Sequence, residues 1–361
     1  MEMDKIKILY IGMSPNFGGI ERFLINVCKN MNRDRFEISF LTFKGKKVCC
    51  QDELERMGIK FFEITHRRKN YFKFLKELKE VFKKHDFDYI HFNLVNFKCP
   101  ERILLAKKYS KAKLVMHSHN AALKHFELTH SIGKILTRNI ECIRLACGDE
   151  AGKFLFGNKK FMIINNGMDL KNFEFNQENR NEIRSEIGIK DDETVIGLIA
   201  KFEEQKNHNF LIDVFCEYLK LCENSKLLLI GEGSLKEKIE KKVEDFKLNN
   251  KVLFLGRRDD TEKIYSAMDI FVMPSWFEGF SIALVEAQVN GLKCFTSTNV
   301  AEESNITGNV EFLSLDETAK DWAKKIYETN TKRDEKVIPK IPNKFKIEET
   351  VRILSEIYEE K

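Results

Sequence analysis

In the first part of the chain, short apolar runs alternate with stretches in which apolar residues recur every three or four positions. Runs at 6–11, 36–43, 59–64, 88–93 and 112–117 predict strands, and 19–30, 51–57, 70–84 and 100–109 carry a helical period. The pattern starts again in the second half. Strands are expected at 194–200, 226–230, 251–255, 269–273 and 292–295, and helices at 207–222, 234–246, 260–267 and 281–290. Such alternation specifies a parallel sheet with helices on both faces, so the chain reads as α/β with two doubly wound, Rossmann-like domains. Ligands of these sheets lie at the carboxyl ends of the strands, which places the expected ligand in a central cleft that both domains face. The turn-rich stretch Asn165-Asn166-Gly167-Met168-Asp169 marks the boundary. The expected division is residues 1–168, residues 169–340, and a C-terminal helix within 341–361 that crosses back to the first domain.

Charge and cysteines narrow the setting. No run of about 18 apolar residues occurs, so no membrane-spanning helix is expected. The sequence opens with Met1-Glu2-Met3-Asp4-Lys5 and goes directly into a strand, without the basic and apolar segments of a signal peptide. Nine cysteines, none in a Cys-x-x-Cys pair, suit a reducing cytoplasm. The net charge of +5 conceals an asymmetry, with 32 Lys+Arg against 18 Asp+Glu in residues 1–168 and 29 against 38 thereafter. Part of the basic excess lies in residues 66–84, where aromatic and aliphatic residues recur at helical spacing opposite a lysine face. One reading is a helix docked on an anionic membrane surface; the other is an ordinary amphipathic helix covering a sheet with solvated lysines. No nucleic-acid reading motif is interleaved with the basic residues, and nucleic acid is not expected as a partner.

The candidate chemistry lies at predicted strand ends. After the strand ending near 273, the chain breaks at Pro274, crosses Ser275-Trp276-Phe277-Glu278-Gly279-Phe280-Ser281 and enters a helix that contains Glu286. A helix N-terminus after a strand attracts an anion, because its first N–H groups lack intrahelical partners and the helix dipole adds positive charge. Carboxylates there are suited to hydroxyls attached to the phosphate, so phosphate on the helix and hydroxyls on Glu278 and Glu286 describe a nucleotide-sugar. Lys201 and Lys206, with the N-cap candidate Asn207, follow the first strand of the second half and can neutralise a diphosphate, or serve only as a solvated loop. Gly231-Glu232-Gly233 and Gly256-Arg257-Arg258 end the next two strands. In the first half, Gly18-Gly19 precedes the first helix and allows close backbone approach to a pyrophosphate, or simply a tight turn. His117 and His119 close a strand, and His91 and Asn93 close the one before. No His-Glu-x-x-His segment or cysteine cluster accompanies the histidines, and no metal is expected.

These segments together resemble the retaining glycosyltransferases of family four, of the two-Rossmann GT-B type, in particular bacterial members that build capsular polysaccharides and exopolysaccharides. The resemblance rests on Gly18 to Arg22, His117 to Asn120, Ala146 to Gly152, Ile164 to Gly167, Glu204 to His208, Gly231 to Gly233, and the Glu-x7-Glu spacing of Glu278 and Glu286. It implies a UDP-sugar donor and a hydroxyl acceptor on a saccharide that is free or lipid-linked, with no metal or other cofactor. It also implies a cytoplasmic enzyme, or one peripheral at the inner face of the cell membrane. Carried over by position, it assigns Lys201, Lys206, Gly18, Gly19, Gly231 and Arg258 to the donor phosphates and their surroundings, and Glu286 to the ribose. Glu278, with Gly279, Phe280 and Ser281, would hold the donor sugar, and His119 would face that sugar. The family usually has arginine where this chain has Lys201, which keeps the charge and loses the bidentate fork. Two alternatives remain open at this level: a nucleotide-sugar epimerase of the same fold, and a non-catalytic nucleotide-sugar-binding scaffold.

Overall fold

The structure, a computed structural model, describes residues 5–16, 18–120, 128–330, 332–333 and 341–360. Phe17 in the glycine-bearing segment, His125, and residues 334–336 of the charged run lie outside that set. The chain forms two compact units, Met1–Met168 with Asn343–Lys361, and Asp169–Pro342. The strands of the first unit are β1 (Ile6–Ile11), β2 (Phe36–Phe43), β3 (Lys60–Ile64), β4 (Tyr89–Leu94), β5 (Lys113–Ser118), β6 (Ile143–Ala146) and β7 (Met162–Ile163). Those of the second are β8 (Thr194–Ile199), β9 (Ser225–Ile230), β10 (Val252–Gly256), β11 (Ile270–Met273), β12 (Lys293–Ser297) and β13 (Val310–Leu313). The helices in chain order are α1 (Gly19–Asn30), α2 (Gln51–Arg56), α3 (Tyr71–Lys84), α4 (Glu101–Tyr109), α5 (Leu128–Thr137), α6 (Asp149–Phe156), α7 (Gln177–Glu186), α8 (His208–Leu219), α9 (Lys236–Asp245), α10 (Thr261–Ala267), α11 (Ile282–Val289), α12 (Ala319–Glu328) and α13 (Ile347–Glu359).

Both sheets are parallel, in the orders β3-β2-β1-β4-β5-β6-β7 and β10-β9-β8-β11-β12-β13. Each order reverses beside its first strand, between β1 and β4 and between β8 and β11. A crevice opens at the carboxyl end of such a reversal, because the two chains leave toward opposite faces. The continuous apolar run of β1 is explained by burial on both sides of its sheet. Ile8 and Tyr10 join a layer with Phe23 and Val27 of α1, while Leu9 and Ile11 join one with Phe74, Leu78 and Phe82 of α3.

The last helix belongs to the first unit. Ile347, Leu354, Ile357 and Tyr358 of α13 pack in the layer that contains Tyr10 and Phe36, and the Tyr89 hydroxyl donates to the Ile357 carbonyl at 3.0 Å. Gly167 lets α13 approach, since a Cβ there would lie 2.4 Å from Thr350 Oγ1 and 2.8 Å from Ile347 Cα. The Asn165-Asn166-Gly167 turn therefore serves as the seat of α13.

Residues 66–84 supply α3, which covers the sheet with Phe74, Leu78 and Phe82 buried against it, while Lys44 pairs with Glu77 and Lys84 with Glu80. Several elements were not apparent in the apolar pattern. β6 and β7 are four and two residues long, too short to show alternation. α7, in the polar stretch before β8, buries only Ile183 and Arg184.

Arg184 shows how the second unit is held. Its guanidinium is 1% exposed and bonds Asp269 Oδ2 at 2.7 Å and the carbonyl of Ala267 at 3.0 Å. Asp269 also accepts from Arg180 and from the Val195 amide, each at 2.7 Å, tying α7 to the β8–β11 region. Removing one partner of a buried pair leaves an uncompensated charge. Asp269→Ala should therefore lower unfolding stability by roughly 3–5 kcal/mol, measured by chemical denaturation. A loss within experimental scatter of the wild type would show that the network is dispensable.

Candidate active site

The switch point of the second sheet brings together two loops that are distant in sequence. β8 and β11 pair at Ile196 with Ile270 and at Gly197 with Phe271, and the chain then leaves each strand in a different direction. After β8 it passes exposed Lys201 and makes a single 3-10 turn, Glu204–Lys206. Asn207 follows in the left-handed region at φ 53° and caps α8 through its side chain. After β11 the Trp276 amide donates to the Gln205 carbonyl at 2.8 Å, and Gln205 Nε2 donates to the Phe277 carbonyl at 3.0 Å. Stitched in this way, the loops set Lys206 Nζ against Glu278 Oε2 in an ion pair whose side chains are only 20% and 17% exposed.

The segment from Glu278 to α11 is pinned from behind. The Glu278 amide donates to Asn299 O, and its carbonyl accepts from Ala301 N at 3.0 Å. The Ser281 amide donates to Ser304 Oγ at 2.9 Å, and the Ser281 hydroxyl caps α11. Gln288 secures the same support by donating to Ser304 O at 2.7 Å and accepting from Ile306 N at 3.0 Å. One turn into α11, the buried carboxylate of Glu286 accepts a hydrogen bond from Tyr265 Oη of α10 at 2.9 Å. Tyr265, Gln205, Ser304 and Gln288 were not among the residues expected from sequence. Only Gln205 lies in a segment the pattern singled out, and the other three support the loop through tertiary packing.

Other expected residues differ in what the fold asks of them. A Cβ at Gly279 would meet nothing within 4 Å, and Phe280 beside it is partly exposed. Gly231, at φ +140°, is required by packing instead, since a Cβ there would lie 2.1 Å from the Ala200 carbonyl oxygen. Arg258, expected at the donor phosphates, is held by two carboxylates. Its Nε and Nη2 bond Asp260 at 2.8 Å, and Nη1 and Nη2 reach Glu186, so both edges of the guanidinium carry carboxylates and its proton is held more tightly than usual. His208, stacked on Phe202 with centroids 4.2 Å apart, is a packing residue.

The first unit has a corresponding edge. Gly12 follows β1 at φ +132°, and a Cβ there would lie 2.5 Å from the Asn93 carbonyl oxygen, so the ends of β1 and β4 meet closely. Gly18 is the N-cap of α1 in extended backbone, and a Cβ at Gly19 would meet nothing within 4 Å. A Cβ at Gly18 would lie 3.0 Å from Glu21 Oε2, a tight fit, whereas Gly19 meets no such demand among the described residues. Buried Glu21 holds the preceding loop by accepting from the Ser14 amide at 2.9 Å. His119 Nε2 bonds Asn93 Oδ1 at 2.9 Å, and its buried Nδ1 has no hydrogen-bond partner among the described residues. His91 and His117 lie deeper. The Tyr358 hydroxyl meets His91 Nδ1 at 2.6 Å, His91 Nε2 meets His117 Nδ1 at 3.3 Å, and the His117 ring lies 4.1 Å from that of His119. A buried polar chain therefore runs from α13 through the sheet toward His119. Among the described residues, no group of three His, Cys, Asp or Glu side chains is placed to hold a metal ion.

The doubled Rossmann architecture, with a switch point in each sheet, is that of the GT-B fold. Residues 17–171 match Glycosyltransferase Family 4 and residues 179–340 match Glycosyl transferases group 1, so the chain belongs to the family 4 glycosyltransferases. It is 29% identical over 339 residues to EpsF of Bacillus subtilis (strain 168), covering 90% of this chain and 88% of that protein. It is 26% identical over 325 residues to the Escherichia coli UDP-Gal:alpha-D-GlcNAc-diphosphoundecaprenol alpha-1,3-galactosyltransferase, covering 84% and 81% of the two chains. Among solved structures, Anabaena Alr3699/HepE in complex with UDP superposes with a TM-score of 0.75 at 18% identity, over 97% of this chain and 99% of that one. A glycosyltransferase from Rickettsia africae superposes with a TM-score of 0.77 at 19% identity, over 99% of both.

The buried histidines make acid stability a test of this arrangement. Burial pushes His91 and His117 well below the ordinary 6.5, His119 down to about 3 and His208 down to about 4. Below pH 6.5 the unfolded chain takes up protons that the folded chain refuses. Stability is therefore full above 6.5 and is lost as pH falls toward the folded values, by about 1 kcal/mol per pH unit for each such histidine. The melting temperature should fall steeply between pH 6.5 and 5, and His208→Gln should lessen the slope. A flat profile over that interval would contradict neutral burial of these rings.

Proposed function

We propose that the chain is a retaining transferase that moves a hexosyl or N-acetylhexosaminyl group from a UDP-sugar to a hydroxyl of a growing surface polysaccharide. The acceptor is carried on a lipid, and the enzyme works at the inner face of the cell membrane. The observation that carries this reading is the Lys206–Glu278 ion pair where the loops after β8 and β11 meet, on the segment that leads into α11 and its buried Glu286. Two named proteins support the choice of donor and acceptor: HepE has been solved with UDP, with UDP and glucose, and with UDP-glucose, and the E. coli relative is named for UDP-Gal and a diphosphoundecaprenol acceptor.

In the unliganded chain Lys206 and Glu278 neutralise each other. A diphosphate at the α11 N-terminus competes for the lysine, and that exchange frees the Glu278 carboxylate to accept hydrogen bonds from sugar hydroxyls. Glu286, oriented by Tyr265, accepts from the ribose hydroxyls. As the glycosidic bond breaks, Lys206, Lys201 and the first α11 amides stabilise charge on the departing diphosphate. The acceptor hydroxyl adds on the face the diphosphate leaves, a phosphate oxygen taking its proton, and His119 Nδ1 offers a further hydrogen bond to the sugar. No metal or cofactor takes part in this reading.

Binding and turnover should separate the two glutamates. Glu286→Ala should weaken UDP binding by on the order of tenfold or more, the cost of losing a hydrogen-bonding charged group. Glu278→Ala should retain or strengthen UDP binding, because it releases Lys206, and abolish transfer. Equal loss of UDP affinity in both variants by calorimetry would sink this division of roles.

Turnover should fall by on the order of a hundredfold in Lys206→Ala, the scale of removing one preorganised donor to developing charge. Chelation by EDTA should leave the wild-type rate unchanged. Strong inhibition reversed by a divalent metal would show that the leaving group is stabilised by other means.

A further inference from the structure

Three aromatic side chains stand out of the loop that carries Glu278. Trp276 is 47% exposed, Phe277 61% and Phe280 39%, although β11 just before them is buried throughout. A single exposed aromatic is ordinary, but rings gathered between positions 276 and 280 make an apolar patch, and such patches mark interaction sites. The fold leaves the first two rings at the surface and yet holds their backbone. The Trp276 amide and the Phe277 carbonyl are both bonded to Gln205, and Glu278 forms a bridge with Val300. Rigid rings on a fixed backbone bind a partner with little loss of freedom.

The polar groups on the neighbouring segments restrict what can cover the rings. Glu203 and Glu204 lie just before Gln205, and Glu302 and Glu303 follow Ala301, whose amide donates to the Glu278 carbonyl; all four are exposed. Lys206 is committed to Glu278, and Lys201 is the exposed cation of its segment. A surrounding richer in carboxylates than in cations disfavours an anionic surface or a nucleic acid and suits a neutral ligand rich in hydroxyls. A pyranose has that character. Its C–H groups present an apolar face of slight positive charge to the negative face of an aromatic ring, while the hydroxyls at its edge donate to carboxylates.

Chain order separates this sugar from the donor's. Trp276 and Phe277 precede Glu278, and Gly279 and the α11 N-terminus follow it. With the diphosphate at that N-terminus and the donor sugar at Glu278, the rings come next beyond the donor sugar. We infer that Trp276 and Phe277 form an aromatic platform for a neutral pyranose of the acceptor, stacked beside the sugar that Glu278 holds. The inference rests on the reading of a nucleotide-sugar donor, and it makes the two rings specificity-determining residues for the acceptor saccharide.

The chain supplies its own reporter. It has two tryptophans, and the other, Trp322, is fully buried with its indole N–H donating to Ser314 O at 2.9 Å, so quenching of fluorescence by acrylamide reads Trp276. The full chain is titrated with the methyl glycosides of glucose, galactose, N-acetylglucosamine and N-acetylgalactosamine, with and without saturating UDP. At least one glycoside should shield Trp276 from acrylamide and shift its emission to the blue. Phe277→Ala should weaken binding of that glycoside by roughly threefold to tenfold, the range of a single aromatic contact, and leave UDP affinity unchanged. The Phe277 side chain is exposed, and an unchanged melting temperature will establish that the variant folds. Trp276→Ala, followed by calorimetry, should weaken glycoside binding as well. Shielding by none of the glycosides, or undiminished binding by the folded Phe277→Ala variant, would overturn the proposal. So would shielding by UDP alone, which assigns the rings to the nucleotide base, or shielding that grows with protein concentration, which assigns them to a contact between copies. UDP affinity, measured separately by calorimetry, tests the donor reading, and the titration without UDP keeps the two failures distinguishable.

Discussion

The ion pair between Lys206 and Glu278 depends on a topological constraint and in turn explains much of the second domain. Parallel strands β8 and β11 are neighbours although their starts at Thr194 and Ile270 lie 76 residues apart, so their outgoing loops must share one crevice. Two opposite charges, each mostly removed from solvent, meet there. Such a pair contributes little net stability, because desolvation offsets most of the attraction, and losing one partner is costly. The arrangement is therefore suited to exchange, since another anion can satisfy the lysine when the carboxylate turns to a different partner. The surrounding hydrogen bonds, from Gln205 to Phe277 and from Ser304 to Ser281, hold the two loops so that this exchange needs only side-chain motion.

The first domain builds its edge differently. Its switch point carries no comparable ion pair among the described residues; it carries the α1 N-terminus at Gly18 and Gly19 and a half-buried histidine. His119 is supported from beneath by His117, His91 and the Tyr358 hydroxyl, so the last helix of the chain contributes to the rigidity of a side chain near the middle of the sequence. A neutral, buried stack keeps the rings from repelling one another, and the same burial makes the fold sensitive to acid.

Much of this was legible in the sequence because the signals are local. The apolar runs match β1 to β5 and β8 to β12 within a residue or two at most ends, and the helix after Ser281 followed from its periodicity. What was not legible depends on contacts between distant positions. Nothing in Gly256-Arg257-Arg258 indicates that Glu186 and Asp260 will hold Arg258, and Tyr265 carries no mark of its bond to Glu286. α5 was obscured for a different reason: its apolar residues lie outside, so periodicity alone could not tell which face packs. In α12 the signal is present, with Trp322, Ala323 and Ile326 on one face, and it lies beyond the last strand–helix unit that the alternation suggested.

The central claim is that the switch point of the second sheet holds the donor diphosphate, and hydrogen exchange with and without UDP tests it most directly. UDP should protect backbone amides in the loop from Lys201 to Asn207 and in the segment from Glu278 to Glu286, and leave α9 and α12 of the same domain unchanged. Protection elsewhere in that domain with none in these two segments would contradict the account.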